Sequence, residues 1–277
     1  GGTVSNVIVQ HSQSTAGGAG AFVQGTALLT HSIVRTNRCT EGLGGGIWLS
    51  TPASLRCCFV VDNLALNSAG FFANNPVTIE ACTIAGNEAS SISGVGGMMI
   101  SAGAVRVVGC IVYSNRGPAA AEYLTGTNAD AFSYSCTHPL PPGPGNIDEP
   151  PQFAGPTNRH LRPTSPCINA GTNRAWMAAP ATDFDGEPRI LSGTADMGAD
   201  EVSRLAAVAM EVASNTVATT WDTPADGVFL AQYSLALGMA GSWTNFTGPM
   251  TSVNERLTVV FTNLPHRHAA QRLVTAP

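Results

Sequence analysis

Carboxylates gather in two short segments of the C-terminal half, where they could bind a cation or catalyse hydrolysis. Asp183-Phe-Asp-Gly186 offers two carboxylates and a turn, as the start of a calcium-binding loop does. The later oxygen ligands and the terminal Glu of an EF-hand loop do not follow. A plain turn explains the same residues if the Asp side chains accept hydrogen bonds from nearby backbone amides. Asp183 and Asp185 are therefore a candidate calcium site with a structural alternative, and we expect no other cofactor.

The second group, Asp196, Asp200 and Glu201, could supply the two carboxyls of a glycosidase, which lie about 5 to 9 Å apart across a cleft. The acids upstream are sparse and do not repeat in register, as the stacked Asp residues of a polygalacturonase site would. The chain also lacks Lys, because all 13 basic residues are Arg, and this excludes Schiff-base chemistry. We infer no catalytic residue, and an enzyme is the less favoured interpretation.

Composition narrows the class of protein. Charged residues make up only 11% of the chain, whereas it contains 30 Gly and 18 Pro, which favours many short strands over long helices. The net charge of −5 gives no basic surface for nucleic acid. No apolar run is long enough to cross a membrane as a helix. The 7 cysteines cannot all pair within one chain.

A repeat of roughly 25 residues organises the N-terminal half of the chain. In each copy a small residue stands five positions before an Asn, and successive Asn residues are 26, 24 and 28 positions apart. Asn tolerates left-handed turn dihedrals, and its amide can bond to the amide of the next coil. Cys at the small position suits a narrow interior, since a zinc site would need paired spacing and His ligands. Both columns are predicted to be structural: Asn37, Asn63, Asn87 and Asn115, and Cys58, Cys82 and Cys110.

A second strand follows a small residue, usually Gly, in each copy, and its second residue is large. This column contains Phe22, Trp48, Phe72, Met99 and Tyr123. Strand residues alternate between faces, so if Ile47 and Leu49 point inward, the column forms an outer ladder. Glu122, aligned with Ile47, favours the opposite orientation in its own coil. An outer ladder could stack on sugar rings or dock a protein, and its candidate binding residues are Trp48, Phe72, Met99 and Tyr123.

The repeat unit cannot bury its own apolar face and must stack on its neighbours, which predicts an all-β fold, a right-handed parallel β-helix of about five coils. The coils occupy residues 1–136. The Pro-rich residues 137–203 cannot continue a hydrogen-bonded ladder, and we expect them to close the helix by packing over its C-terminal end. Residues 204–277 contain alternating strands at shorter spacing, which predicts a small β-sandwich.

Several motifs resemble those of bacterial surface proteins. Gly44-Gly-Gly-Ile47 and Cys82-Thr-Ile-Ala-Gly-Asn87 are similar to the repeats of polymorphic outer-membrane proteins, although Ala119-Ala-Ala-Glu122 departs from that pattern. The last domain is similar to fibronectin-type modules. Five ordered motifs resemble the closing segment of the choice-of-anchor Q group of pectin-lyase-like β-helices: Gly145–Asp148, Pro151–Phe153, His160–Gly171, Asp183–Arg189 and Ala195–Glu201. This resemblance implies export to a secreted or cell-surface location and no defined catalytic activity.

Two classes of function follow. The favoured one is a non-catalytic extracellular protein with a structural or adhesive role, in which the β-helix is a rigid rod. The alternative is a carbohydrate-active enzyme, a polysaccharide lyase or hydrolase, or its carbohydrate-binding module, because fold alone does not separate the two. The expected partners are a polysaccharide and a second copy of the chain. The first coil shows no cap at Gly1-Gly-Thr-Val4, and an uncapped edge invites end-to-end stacking into a fibre.

Overall fold

The computed structural model describes residues 1–50, 52–74, 76–101, 104–126, 130–162, 164–191 and 193–202, together with seven strands between 207 and 275. The chain divides into two compact units, Gly1–Val202 and Ser203–Pro277. Each unit has its own sheets, and each is described by itself.

The first unit is a parallel β-solenoid whose short strands stack, one per coil, into four parallel sheets. Sheet 1 contains Thr3–Ser5, Leu28–Thr30, Ser54–Arg56, Thr78–Glu80, Arg106–Val108 and Phe132–Ser133. Sheet 2 contains Ile8–Gln10, Ile33–Arg35, Phe59–Val61, Thr83–Ala85, Ile111–Tyr113 and Cys136–Thr137. Sheet 3 contains Gln13–Ser14, Arg38–Cys39, Leu64–Ala65 and Glu88–Ala89. Sheet 4 contains Ala21–Val23, Ile47–Leu49, Phe71–Ala73, Met98–Ile100 and Tyr123–Leu124. The predicted all-β fold with a parallel β-helix is confirmed.

Single residues with a left-handed backbone turn the chain between sheets 1 and 2 and again between sheets 2 and 3. At the first corner His31, Cys57 and Ala81 have φ of 47°, 45° and 51°. At the second corner the left-handed residue stands immediately before the ladder Asn, and in successive coils it is Thr36, Asp62, Gly86 and Ser114. The expectation that the Asn itself takes this conformation is therefore wrong. A left-handed non-glycine residue costs about 1–2 kcal/mol, so each corner depends on the packing of the strands that it joins.

The Asn side chains form a buried ladder inside the second corner. Nδ2 of each Asn donates to Oδ1 of the Asn one coil further on, at 2.9 to 3.0 Å. The same Oδ1 also accepts from the backbone N of the preceding Asn at 2.9 to 3.0 Å. A buried amide left without partners costs about 1–3 kcal/mol, so each rung of the ladder depends on the next one.

Glu122 ends this ladder. Its Oε2 accepts hydrogen bonds from the backbone N and the Nδ2 of Asn115, at 3.2 and 2.7 Å, in the place of an Asn Oδ1. The strand pairing puts Glu122 opposite Gly97 and not in the column of Ile47, so the alignment made from the sequence is wrong by one position. Gly is required in the earlier coils, because a Cβ at Gly97 would lie 2.8 Å from the Asn115 Nδ2. Burial raises the pKa of the Glu122 carboxyl, although Asn115 opposes that shift.

The interior between the four sheets is apolar, with the Cys column on one side. Cys58, Cys82 and Cys110 are 0% exposed, and all seven cysteines are free and buried. The Sγ atoms of Cys58 and Cys82 donate to the carbonyls of Arg56 and Glu80, at 3.0 and 3.2 Å. Burial raises the pKa of the Cys82 and Cys110 thiols well above the ordinary value, which keeps them protonated.

The Pro-rich segment first covers the C-terminal end of the solenoid. Thr137 N donates to Ile147 O at 3.0 Å, and Ile147 N donates to Ser135 O at 2.9 Å. Ile147 thereby forms a parallel bridge with Cys136 and satisfies backbone groups at the edge of sheet 2. An exposed edge would otherwise be open to pairing with another strand.

The segment then folds back along the outward face of sheet 2, which the sequence did not predict. Phe184 packs on Phe59 with ring centroids 4.9 Å apart. Ala199 N donates to Thr83 Oγ1 at 3.1 Å. The segment contains one 3-10 helix, Ala175–Met177, and otherwise consists of turns and short bridges within its described residues. Outward side chains of sheet 2 are therefore part of a second core.

The second unit contains two antiparallel sheets. The first has the strand order Ala207–Ala213, Thr216–Asp222, Arg256–Thr262 and Met250–Val253. The second has the order Thr244–Asn245, Phe229–Ser234 and Ala270–Thr275. These antiparallel sheets agree with the all-β class predicted for the C-terminal part, and their packing into a sandwich stays a prediction. Within the described residues of either unit, none of the helices is long and apolar enough to cross a membrane.

Candidate functional site

The outward face of sheet 4 carries a row of large apolar side chains. Ile47 and Leu49 are 0% exposed and point into the interior, so Trp48 between them points outward. Phe22 and Phe72 pair with Trp48 in register. The ring centroids of Phe22 and Trp48 are 5.7 Å apart, and those of Trp48 and Phe72 are 4.9 Å apart, close to perpendicular. These are favourable aromatic contacts within the usual 4.5 to 7 Å range.

Tyr123 does not belong to this row. The strand pairing places Tyr123 opposite the interior residue Met98 and places Leu124 opposite Met99. The Tyr123 ring packs on Phe132 with centroids 4.8 Å apart. The prediction was displaced by the same single position that misplaced Glu122. The sheet-4 stripe, as named from here on, therefore contains Phe22, Trp48, Phe72, Met99 and Leu124.

Access to the sheet-4 stripe is greatest at its two ends. Phe22 is 51% exposed and Leu124 is 42% exposed, whereas Phe72 in the middle is 5% exposed. Trp48 is half-buried, and the loop at Gly17 covers part of its ring, since a Cβ at Gly17 would lie 2.6 Å from it. The surface open to a ligand is therefore the Phe22 ring with the uncovered part of Trp48.

The carboxylates of the closing segment lie in a buried network around Arg189. Arg189 and Glu201 form an ion pair with side chains 0% and 1% exposed. Arg189 Nη2 also donates to the carbonyls of Asp196 and Gly198, at 2.7 and 3.0 Å. Burial raises the pKa of Asp196 to about 6. Burial, reinforced by Asp196, raises the pKa of Glu201 to about 8 against the opposing effect of Arg189. Asp196 and Glu201 are 1% and 2% exposed, so solvent does not reach the carboxyls that a glycoside would have to contact.

Asp183 is the centre of a turn. Its Oδ1 accepts from the backbone N of Asp185, Gly186 and Glu187, each at 2.9 Å. Its Oδ2 accepts from the Glu201 N at 2.8 Å. These hydrogen bonds are those of a plain turn, the alternative to a calcium site that the sequence offered for this motif. Calcium binding by Asp183 and Asp185 stays a prediction, and Asp183 has few lone pairs left for a cation.

A second cluster, which the sequence did not reveal, joins Asp185 to two residues outside its motif. His160, Asp185 and Asp200 each place one ligand atom within 4.8 Å of the other two. His160 Nε2 lies 2.8 Å from Asp185 Oδ2, and both side chains are 39% exposed. Asp200 is 6% exposed, and its Oδ2 accepts from the Leu161 N at 2.8 Å. Nitrogen and oxygen ligand atoms therefore converge at a place that solvent reaches.

Acids in the coils take part in structural ion pairs. Glu80 accepts from Arg56 Nε at 2.8 Å and from Arg174 Nε at 2.9 Å. Asp62 accepts from Arg159 Nη2 at 3.2 Å. Two of these three pairs tie a coil to the closing segment, which accounts for acids that do not repeat in register.

Comparisons of the chain with protein-family models, with curated proteins and with solved structures give no match.

Proposed function

We propose that this chain is a non-catalytic adhesive module of an exported protein, in which the solenoid is a rigid support and the Phe22 end of the sheet-4 stripe binds a neutral polysaccharide. The observation that carries the proposal is an apolar outward face whose Phe22 end is open to solvent. Phe22 alone is 51% exposed and lies beside Trp48. Exposed apolar patches on a folded protein commonly mark interaction sites.

The internal comparison with sheet 2 supports this interpretation. Strands apolar at all three positions are typical of sheets covered on both faces. Sheet 2 has such a strand, Phe59–Val61, and the closing segment covers it. Sheet 4 has the same kind of strand at Ile47–Leu49 and Phe71–Ala73. We infer that its outward face also contacts another molecule.

The chemistry of the sheet-4 stripe favours sugar as that molecule. Three of its five residues are aromatic, and aromatic rings offer flat faces on which the C–H surface of a sugar ring can stack. The corresponding column of sheet 2, whose middle residues Phe59 and Thr83 are covered by the closing segment, has only one aromatic residue: Ile8, Ile33, Phe59, Thr83, Ile111 and Cys136. The resemblance to choice-of-anchor Q proteins supports an exported, surface-located protein. A carbohydrate-active enzyme is the less favoured alternative, because Asp62, Glu80 and Glu201 are engaged in ion pairs.

The test is a titration of the full chain with soluble xylan and β-glucan, followed by tryptophan fluorescence and by calorimetry. We expect binding that Phe22→Ala and Trp48→Ala weaken at least tenfold. Ile8→Ala is the matched control, since Ile8 is 58% exposed but lies outside the sheet-4 stripe. Circular dichroism checks the fold of each variant. Equal binding by wild type and Phe22→Ala, or no binding of either polymer, would overturn the proposal. Release of new reducing ends during the titration would favour the enzyme instead.

End-to-end stacking of two copies stays a prediction. The first coil leaves Val4 51% exposed, although its partner Leu29 in the next coil is 4% exposed. Sedimentation of the full chain over a range of concentrations measures self-association directly.

A further inference from the structure

We infer that His160, Asp185 and Asp200 form a binding site for a divalent transition metal ion, with Zn²⁺ as the expected occupant. The site goes beyond the proposed function and differs from the calcium loop suggested by the sequence. It shares only Asp185 with that motif. Its other two ligands come from the turns around residues 160 and 200, which meet only in the folded closing segment.

Hydrogen bonds to Asn158 fix the tautomer of His160. Asn158 Oδ1 accepts from the His160 backbone N at 3.1 Å, and a backbone N–H can only donate, so this amide atom is the oxygen. His160 Nδ1 lies 2.5 Å from the same oxygen and must donate its proton to it. In neutral imidazole the other nitrogen, Nε2, then carries a lone pair. A hydrogen bond from Nδ1 to an oxygen is also the usual arrangement around a metal-binding His.

That lone pair faces carboxylates. Nε2 lies 2.8 Å from Asp185 Oδ2, and an Asp200 oxygen lies within 4.8 Å of both. Two acceptors at hydrogen-bond distance require a shared cation between them, which is either a proton, on the imidazole or on the carboxyl, or a metal ion. A proton can satisfy one of the two carboxylates. A metal ion can bind all three groups.

The surrounding charge favours the metal ion. Asp183 and Glu187 each place a carboxylate oxygen within 4.8 Å of an Asp185 oxygen, so Asp185 belongs to a second, purely acidic cluster as well. The two nearby guanidinium groups are already paired, Arg159 with Asp62 and Arg189 with Glu201. A divalent cation would supply the missing positive charge.

The donor set selects the class of ion. Calcium prefers six to eight oxygen ligands, whereas imidazole nitrogen with carboxylate oxygen suits zinc and its neighbours. Metal–ligand distances of about 2.0–2.2 Å around a tetrahedral ion separate ligand atoms by roughly 3.3 Å. The Asp185 side chain, 39% exposed, can move away from the His160 Nε2, from 2.8 Å to that separation, while the imidazole keeps its position. His160 is already held in place, since its ring packs on Phe59 with centroids 5.4 Å apart.

The test measures Zn²⁺ binding by the full chain after chelator treatment, using calorimetry, metal analysis of the dialysed protein and thermal unfolding. We expect one ion per chain and a higher Tm. His160→Gln and Asp185→Asn should each abolish binding, and both residues are exposed enough for the variants to fold. Asn158→Ala should weaken binding about 10–100-fold, because it removes the acceptor that keeps the proton on Nδ1 and the lone pair on Nε2. His138→Gln is the matched control, because His138 lies 3.6 Å from Asp148 in a similar exposed pair without a third ligand.

Cobalt distinguishes this site from adventitious binding to cysteine. Co²⁺ bound by nitrogen and oxygen gives only weak visible absorption, whereas thiolate ligation adds an intense near-ultraviolet charge-transfer band. The proposal is overturned if Zn²⁺ does not bind, if His160→Gln binds as wild type does, or if the Co²⁺ spectrum shows thiolate. It is also overturned if Ca²⁺ binds more tightly than Zn²⁺ and His160→Gln leaves that binding unchanged.

Discussion

Sheets 2 and 4 of the solenoid have nearly the same sequence character and opposite surroundings. Each contains a central three-residue strand that is apolar at every position, Phe59–Val61 in sheet 2 and Ile47–Leu49 in sheet 4. The outward side chains of sheet 2 become a second core under the closing segment, with Phe59 4% exposed. The outward side chains of sheet 4 pack only on one another and on neighbouring loops, with Phe22 51% exposed.

The difference shows that an apolar outward column predicts contact with some partner but does not identify that partner. In sheet 2 the partner is the same chain, more than a hundred residues further on in the case of Thr83 and Ala199. In sheet 4 we propose that the partner is a ligand. Substitutions on the two faces should therefore have different effects: loss of stability on sheet 2 and loss of binding on sheet 4.

The largest effect is expected for Phe59→Ala. Phe59 contacts the rings of Phe184 and His160, at 4.9 and 5.4 Å, and its removal leaves a cavity under the closing segment. We expect a loss of about 3–5 kcal/mol in the free energy of unfolding, measured by urea denaturation. Amide hydrogen exchange should increase around Phe184 more than in the coils. A loss below about 1 kcal/mol would mean that the segment contributes little to the stability of sheet 2.

Thr83→Val tests the polar contact on the same face. Valine keeps the volume of Thr83 but removes Oγ1, the acceptor for the Ala199 N at 3.1 Å. Thr83 is 1% exposed, so the amide would lose its partner without gaining water. We expect a loss of about 1–3 kcal/mol. Thr78→Val, on a half-buried strand position of sheet 1, serves as control and should change stability by less than about 0.5 kcal/mol.

The stability of the closing segment that covers sheet 2 should also depend on pH. Burial raises the pKa of Asp196 to about 6, so the folded protein holds a proton that the unfolded chain releases near pH 4. The unfolded state therefore binds fewer protons between about pH 4 and 6, and stability falls as pH rises through that window. We expect a decrease of about 1–3 kcal/mol, which Asp196→Asn should remove. Stability that rises over this range would contradict the raised pKa of Asp196.

Phe22→Ala should have the smallest effect on stability. Half of its side chain is already in water, at 51% exposure, and its main contact is the Trp48 ring at 5.7 Å. We expect a change within about 0.5 kcal/mol, by the same urea measurement used for Phe59→Ala. A loss comparable to that of Phe59→Ala would show that sheet 4 is also a covered face and would remove the contrast between the two sheets.

Much of the solenoid is predictable because its interactions are periodic. The spacing of Asn37, Asn63, Asn87 and Asn115 identified the positions that bond to one another, since each rung repeats one coil further on. Prediction failed where the period ends. Glu122 replaces the Gly of its column in order to supply the last acceptor, and this substitution shifted the alignment of Glu122 and Tyr123 by one position. A carboxylate that follows a series of regularly spaced Asn residues is the sequence signal that would have identified Glu122 as the last acceptor of the ladder.

The sequence by itself determined the coil, its interior columns and the class of the C-terminal sheets, because those features depend on alternation and repetition between neighbours. The tertiary structure alone decided which outward face is covered and which carboxylates meet. Contacts such as Arg159 with Asp62 and Arg174 with Glu80 join residues 97 and 94 positions apart that share no period. The cluster of His160, Asp185 and Asp200 likewise arises from three turns of irregular backbone. No local pattern encodes such contacts, because they depend on the path of a segment that lacks regular secondary structure.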